Sequence, residues 1–431
     1  MGSQQGWRLT SLLLGVFFVA ICFAEETPDR DDPRVAWLKQ HAIPLRSIDP
    51  NDEDFTDLEP VGNLIGDSRI VQLGEQSHGD GATFHAKIRL VKFLHQKLGF
   101  DVLASEKGLY DRRKTWELLR GGMEPYKASS HGVLGPLFEY IGRAAKGPRP
   151  LEPCGFGCFF YGGQDARDFL VKDVTALWDK LASAAPDADQ RAAIVNTLTK
   201  LANFQQPTPQ ERQRGHNALA AWRNALEIAR PSDALPEAEL AFWRQFVAST
   251  STFAAILGWG PDELNSVERL NLRDPQMARN LVWLARTAYP KRKIIVWAAS
   301  AHLARNLLPT WVKEKVTAVM GHDVWKALAK ETYTVAFTAA EGECTLMVMG
   351  SLKAWQLPPP APGSLEDLFV RAGFTDAFLD FRGLGPDGAW LKQKLIARPF
   401  AHHNDEANWT DMFDGIIFIK KMYGTTRRSS D

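Results

Sequence analysis

The chain has 431 residues with 51 basic and 51 acidic side chains, so its formal net charge at neutral pH is zero. This balance excludes the strong positive field expected of a nucleic-acid-binding or membrane-surface protein and favours a small, neutral ligand. Apolar residues make up 45% of the chain and its 14 tryptophans are spread along it, which predicts a folded chain with one large core or two smaller ones.

Residues 1–24 have the pattern of a secretion signal. Arg8 supplies the positive start, Leu12–Phe23 the apolar segment and Ala24 a small residue at its exit. The apolar run is shorter than the roughly 20 residues of a transmembrane helix, and acidic residues follow it. We therefore expect cleavage near Ala24 and an exported protein, periplasmic or secreted, without an integral membrane span. Lipid attachment at Cys22 is the alternative.

The first part of the predicted core, residues 25–164, alternates between strand and helix. Arg69–Glu75 and Asp101–Glu106 are short apolar runs typical of buried strands. Between them, apolar residues recur at helical spacing over residues 84–98, and Gly99 follows as a helix terminator. A further helical pattern surrounds residues 116–119. This order predicts the α/β class, with a mainly parallel sheet flanked by helices.

Residues 165–289 have a different pattern, with long helical segments rich in Ala, Leu, Arg and Glu and interrupted by prolines. They predict an inserted helical bundle subdomain, or lid, that forms one wall of the substrate cleft. Strand signals return in the second part of the core, residues 290–424, at residues 293–300, 332–338, 345–349, 377–381 and 415–419. The sheet is therefore expected to form from both ends of the chain, followed by a flexible tail at residues 425–431.

Without the signal, the chain keeps Cys154, Cys158 and Cys344, which are too few for a disulfide framework. Cys154 and Cys158 flank a short glycine-containing turn. An oxidising compartment would permit a bridge between them if their Cα atoms lie within about 7 Å. Two small, buried thiols are the alternative, and we expect stability to come from packing.

Glu75 and His78 lie at the carboxyl end of the first predicted strand, within the sequence GEQSHG. Ligands of open α/β sheets bind at this end of the strands, and the two flanking glycines are expected to let the backbone turn sharply. A carboxylate beside a histidine fixes its tautomer and stabilises its protonated form, so the histidine can take a proton from water near neutral pH. A solvated surface histidine is the alternative interpretation.

Two further strand ends carry reactive side chains. Glu106 ends an apolar strand, where a carboxylate needs a partner, although capping of the next helix is an alternative role. His302 follows the predicted strand at residues 293–300. If the three strands are neighbours, Glu75, His78, Glu106 and His302 converge as an acid/base site. The same four residues are also suitable ligands for zinc or another divalent metal, and their spacing does not decide between the two.

The remaining histidines carry weaker signals. His131 stands in a loop from which it can line a binding pocket, whereas His402 and His403 lie in a polar stretch typical of solvated side chains. The sequence contains no G-x-S-x-G elbow and no phosphate-binding loop. This argues against a serine-hydrolase triad.

Several blocks of sequence occur together along the mature chain. The first is Gly74-Glu75-x-x-His78-Gly79 with Leu98-Gly99-Phe100 and Ala104-x-Glu106; the second is Asn271-Leu272-Arg273-Asp274-x-x-Met277-Ala278-x-Asn280 with Lys293–His302. Later blocks are Met320-Gly321, Glu341-Gly342 and Phe413-Asp414-Gly415 to Ile419. Together these blocks resemble the erythromycin esterase family.

The resemblance implies an α/β core with an inserted helical bundle, a cleft between them, and hydrolysis of a macrolide lactone as in the characterised members, which links the family to antibiotic resistance. It also implies His78 as general base, with Glu75, Glu106 and His302 in the same cleft and Arg273 as a polar or carboxylate partner. Metal dependence differs between members, and a shared fold does not transfer the substrate.

Three positions depart from the family pattern. Lys87 stands where the family usually has an arginine, Ala299-Ser300 replace a His-Asn pair, and Gly157 stands where an acidic residue is common. A lysine lacks the planar fork of a guanidinium, which changes how a substrate or oxyanion is held at position 87. We expect these changes to affect macrolide specificity more than hydrolysis.

Three functions follow from the sequence. In the first, His78 activates water against a small-molecule carboxylic ester or lactone, Glu75 orients the imidazole, and His302 or Lys87 stabilises the oxyanion, with Arg273 and His131 binding substrate. In the second, Glu75, His78, Glu106 and His302 hold a divalent metal such as zinc and its hydroxide. In the third, the chain is a non-catalytic exported binding protein.

Overall fold

The computed structural model describes residues 32–122, 132–160, 164–181, 184–260, 264–348 and 351–425. The predicted signal, His131 and residues 426–431 of the predicted tail lie outside the described residues. Within the described residues, none of the helices is both long and apolar enough to cross a membrane.

The strands in chain order are β1 Ile43–Pro44, β2 Ile70–Glu75, β3 Val102–Gly108, β4 Glu152–Gly157, β5 Ile294–Ala299, β6 Thr332–Val348, β7 Ser351–Gln356, β8 Asp376–Asp380, β9 Leu395–Ala397, β10 Asp405–Ala407 and β11 Gly415–Met422. The helices are α1 Pro33–His41, α2 Glu59–Ile65, α3 Gly81–Leu98, α4 Leu109–Arg120, α5 Gly135–Ala144, α6 Gln164–Leu181, α7 Ala188–Ala202, α8 Pro209–Ile228, α9 Glu237–Ile256, α10 Ser266–Trp283, α11 Ser300–Leu303, α12 Pro309–Lys313, α13 Met320–Leu328 and α14 Leu365–Ala372.

Nine strands of the described chain form one sheet in the order β1-β8-β11-β6-β2-β5-β3-β4, with β7 paired to β6. The six strands from β11 to β4 in this order run parallel to one another, whereas β1, β7 and β8 pair antiparallel with their neighbours. All six residues of the central strand β2 are buried, as expected for a parallel sheet covered on both faces. The predicted fold class, a mainly parallel α/β sheet flanked by helices, is confirmed.

The two faces of the sheet belong to different hydrophobic clusters, because successive side chains of a strand point to opposite faces. Ile294 and Val296 of β5 pack into a cluster with residues of helices α6 to α10, whereas Ile295 packs into a cluster with residues of α3 and α5. The helices of residues 164–283 therefore pack against one face of the sheet. Their role as a wall of a substrate cleft stays a prediction.

Several strand boundaries differ from the sequence-based expectation. The segments expected at residues 332–338 and 345–349 fall on one 17-residue strand, β6, up to its last residue Val348, and residue 349 lies outside the described residues. The pattern also missed β4, whose sequence EPCGFG contains a proline and two glycines that weaken a strand signal. Cys154 of this strand and Cys158 beyond it are buried and free, without a bridge.

Candidate active site

Four predicted site residues come from the carboxyl ends of three strands. Glu75 is the last residue of β2, His78 lies in the loop before α3, Glu106 is near the end of β3, and His302 is on the short helix α11 directly after β5. The three strands are consecutive in the sheet, with β5 between β2 and β3, so the condition that the sequence analysis set for convergence is met. The three carboxyl ends meet, because all three strands are parallel.

Glu75 and His78 form a direct pair at the end of β2. Nδ1 of His78 lies 3.1 Å from Glu75 Oε1. The carboxylate of Glu75 is buried, whereas the His78 side chain is 50% exposed. Glu75 therefore fixes the Nδ1 side of the imidazole, while the rest of the His78 side chain remains accessible to solvent.

Glu106 is the common partner of three cationic or titratable side chains. One of its oxygens accepts a hydrogen bond from the backbone nitrogen of Ala299 at 2.6 Å. The other lies 3.5 Å from Arg273 Nη2, 3.7 Å from His302 Nε2 and 3.9 Å from His78 Nε2. The two histidines therefore face one carboxylate without a short hydrogen bond to it.

Asp274 is a site residue to which the sequence analysis gave no role. Its Oδ2 accepts a hydrogen bond from the backbone nitrogen of Met320 at 3.1 Å and lies 2.9 Å from Nδ1 of His302. Asp274 is buried and follows Arg273 on α10. The signal for it was its place beside Arg273 in the second sequence block. Helix α10 thus brings two neighbouring side chains to the strand ends.

The prediction that Lys87 contacts substrate or an oxyanion is wrong, because its ammonium group is completely buried. Nζ of Lys87 donates a hydrogen bond to Glu75 Oε2 and lies 4.2 Å from the centre of the Trp297 ring. The charge of Lys87 therefore stabilises Glu75 from inside the protein. Because this position is buried, the replacement of arginine by lysine changes the contact with Glu75 and leaves the exposed surface of the site unchanged.

Burial and neighbouring charges alter the titration of this cluster. Burial lowers the pKa of His78, but the hydrogen bond to Glu75 and the charges of Glu106 and Glu75 outweigh it and raise the pKa to about 9. Burial raises the pKa of Glu106, yet His302, His78 and Arg273 lower it to about 2. Burial also lowers the pKa of Lys87 to about 8, against the charge of Glu75. Glu106 is therefore ionised and His78 is mainly protonated at neutral pH.

The two glycines that flank this segment are required for close packing rather than for an unusual turn. The backbone turns over residues 76–79, as expected, but neither Gly74 nor Gly79 has a positive φ. A Cβ atom on Gly74 would lie 2.7 Å from Ser300 Oγ, and one on Gly79 would lie 2.1 Å from the carbonyl oxygen of Thr345. Gly74 thus lets α11 approach β2, and Gly79 lets the His78 loop approach β6.

The ligand set suggested for a metal is only partly assembled. Glu75, His78 and Glu106 each offer one ligand atom within 4.8 Å of the others, but this group does not include His302. Lys87 already neutralises Glu75, and Arg273 contacts Glu106. A divalent cation here would face two positive side chains at short range, which disfavours its binding.

The family model for erythromycin esterase matches residues 160–422, which is more than half of the chain. The chain belongs to the erythromycin esterase family. The matched region of this family includes Arg273, Asp274 and His302, whereas Glu75, His78 and Glu106 precede it and are linked to it here by their contacts.

Two relatives extend the similarity to the erythromycin esterase family along nearly the whole chain. YbfO of Bacillus subtilis (strain 168), whose name proposes a hydrolase, is 25% identical over 413 residues, which cover 89% of this chain and 90% of the relative. Erythromycin esterase type II of Escherichia coli is 23% identical over 422 residues, which cover 89% and 97%. The family and these relatives support a hydrolase.

Solved structures show the same fold. A Bacillus cereus protein has a TM-score of 0.77 at 20% identity, covering 92% of this chain and 98% of that chain. A mutant of erythromycin esterase EreC in its open conformation has a TM-score of 0.66 at 16% identity, covering 89% and 98%. The α/β core with its helical segment is therefore the fold of the erythromycin esterase family.

Proposed function

We propose that this protein hydrolyses a carboxylic ester or a lactone with a water molecule activated by His78. The observation that carries the proposal is that Glu75 holds Nδ1 of His78 while half of the ring is exposed and Nε2 lies 3.9 Å from Glu106. That distance is too long for a hydrogen bond. With ionised Glu75 as acceptor, Nδ1 carries a proton and the lone pair of the neutral ring is on Nε2, where water can reach it.

The proposed reaction needs no further reagent. The oxygen of water attacks the carbonyl carbon while one of its protons moves to Nε2 of neutral His78. The tetrahedral intermediate then expels the alcohol oxygen by breaking the ester C–O bond, and that oxygen takes the proton from Nε2. An ester gives an acid and an alcohol, and a lactone gives one hydroxy acid. Both outcomes restore neutral His78.

Arg273 and His302 are the groups that we assign to the substrate oxygen. Arg273 is cationic and its side chain is 26% exposed, so its guanidinium can donate hydrogen bonds to a carbonyl or an oxyanion. Asp274 holds Nδ1 of His302, which directs Nε2 toward the cluster around Glu106. Donors held in place before the reaction stabilise the developing charge without reorganisation.

The substrate class that we propose includes macrolide lactones, because an Escherichia coli relative is named as an erythromycin esterase. The low identity to that relative and the local differences at Lys87, Ser300 and Gly157 favour a broader choice among esters and lactones. A screen should therefore contain simple aryl and alkyl esters, small lactones and erythromycin.

The metal-dependent alternative is supported by the close approach of Glu75, His78 and Glu106. In that mechanism these residues hold an ion that lowers the pKa of a bound water molecule. Two positive neighbours, Lys87 and Arg273, oppose it, and we therefore prefer the metal-independent reaction. Hydrolysis that is abolished by a chelator and restored only by one metal would reverse this preference.

The test of the proposed function compares wild-type protein with His78→Asn on that substrate screen. Asparagine keeps some hydrogen bonding but cannot accept a proton at neutral pH, so turnover should fall by about 10²- to 10⁴-fold. His216→Asn, which alters an exposed histidine on α8, is the matched control and should keep full activity. Full activity of His78→Asn would refute the mechanism. A wild-type protein that binds esters but hydrolyses none would support the non-catalytic alternative.

A further inference from the structure

A second cluster of side chains of the types that can bind a metal includes Asp80, at the end of the loop that carries His78. Asp80 directly precedes α3, Cys344 lies in β6, and His402 lies in the loop between β9 and β10. One ligand atom from each lies within 4.8 Å of the others, and all three residues are buried. The expectation that His402 is solvated is therefore wrong, since its side chain is only 1% exposed.

The polar atoms of this cluster are incompletely satisfied. Nε2 of His402 lies 2.8 Å from Asp80 Oδ2. Among the residues that the structure describes, His402 Nδ1 and Asp80 Oδ1 have no hydrogen-bond partner, and Cys344 forms no disulfide. Buried polar atoms without partners are costly, and a bound ion is one of the few physical reasons for which they persist.

The chemistry of the three side chains suits a divalent cation. Its charge of +2 would be matched by one carboxylate and one thiolate, with His402 as a neutral ligand.

We propose that Asp80, Cys344 and His402 bind a divalent cation of the zinc type. Sulfur, imidazole nitrogen and carboxylate oxygen are the donors that zinc takes in proteins. Metal–ligand bonds of about 2.0–2.3 Å place two donors of a tetrahedral site roughly 3.5 Å apart, which small side-chain movements can reach from the observed spacing. Three protein donors leave the fourth position to water. The set shares no residue with Glu75, His78 and Glu106.

The cation would link the His78 loop, through Asp80, to β6 and to the loop between β9 and β10. Asp80 Oδ2 already accepts a hydrogen bond from the backbone nitrogen of Ser77 at 2.9 Å, and Ser77 Oγ donates to the carbonyl oxygen of Thr345 at 3.0 Å. On the other side, the backbone nitrogen of Ala401 donates to Gln76 at 3.0 Å. A metal bond from each segment would join β6, the His402 loop and the His78 loop at one point.

Metal analysis of full-length protein produced in zinc-supplemented cells and purified under reducing conditions tests this inference. We expect about one zinc per wild-type chain, and almost none in Cys344→Ser or His402→Asn. Cys158→Ser is the matched control, because it changes another buried free thiol and should keep the metal. His78→Asn and Glu106→Gln should also keep it. Those two variants separate this site from a metal at the candidate active site.

Cobalt provides a measurement on wild-type protein that does not depend on how the variants fold. Protein produced with Co²⁺ should show a thiolate-to-cobalt charge-transfer absorption, which the thiol-free group Glu75, His78 and Glu106 cannot produce. The inference is overturned if wild-type protein contains no metal or its cobalt form lacks this absorption. It is equally overturned if Cys344→Ser and His402→Asn retain the zinc. Loss of ester hydrolysis in His78→Asn, by contrast, tests the proposed function alone.

Discussion

Lys87 and His78 bind opposite oxygens of one buried carboxylate, with the ammonium group on Glu75 Oε2 and the imidazole on Oε1. The exposed histidine is therefore linked through a single carboxylate to a cation inside the protein. This arrangement fixes the charge of Glu75, since the charge of Lys87 opposes the rise in the Glu75 pKa that burial would cause.

Lys87→Met should destabilise the protein strongly. The substitution leaves Glu75 buried without its cation, and breaking one partner of a buried ion pair costs about 3–5 kcal/mol. Chemical denaturation should show this loss in the free energy of unfolding. Lys421→Met, at an exposed position on β11, is the control and should change stability little. A Lys87→Met protein as stable as the control would show that the ion pair contributes nothing.

Ester hydrolysis should increase with pH. The neutral form of His78 is the proposed base, and a pKa of about 9 leaves only about 1% of it neutral at pH 7. The value of kcat/KM should therefore rise above neutral pH, reach half of its maximum near pH 9 and level off about one pH unit higher. Glu106→Gln removes one charge that raises the pKa of His78, so the midpoint of its kcat/KM profile should lie at lower pH. A Glu106→Gln midpoint at or above that of the wild type would contradict this assignment.

Asp274 should act through His302. His302→Asn is expected to reduce kcat by about 10²- to 10³-fold, the usual effect of losing one oxyanion donor. Asp274→Asn should reduce kcat by less, and the double variant should resemble His302→Asn alone, because the two residues act as one unit. Steady-state kinetics should show the change in kcat rather than in KM. Multiplicative losses in the double variant would mean that the two residues act separately.

The mature protein should begin near Glu25. The evidence is the charged, apolar and small-residue order of residues 1–24, followed by acidic residues. Production in an exporting host followed by intact-mass measurement and N-terminal sequencing tests this expectation. Lipidation at Cys22 would add the mass of its acyl chains. An unprocessed chain recovered from the cytoplasm would contradict export.

Strand-end chemistry was largely predictable from sequence. Buried parallel strands are short apolar runs, and polar residues that end such runs lie at one edge of the sheet, which is how Glu75, Glu106 and His302 were selected. Their contacts with each other depend on the position of β5 between β2 and β3. Sequence order does not determine that position.

The environments of residues that depend on tertiary packing could not be predicted from the sequence pattern. Lysines on helices are normally exposed, but Lys87 is buried where it contacts Glu75 and Trp297. Asp274 reaches His302 because α10 packs beside the strand ends, and His402 is buried by its contact with Asp80. In each case a long-range partner determines the environment, and periodicity within one segment carries no information about that partner.

The position of β5 between β2 and β3 has a consequence for how the chain folds. The contact between Ser300 and Gly74 joins residues 226 positions apart, and that between Ala299 and Glu106 spans 193. A nascent chain that ends before β5 leaves β2 and β3 without the strand that separates them, and such long loops close late. Ordered contact between His78, Glu106 and His302 therefore marks the completion of folding, and truncated chains should expose both edges of β2 and one edge of β3, which are prone to aggregation.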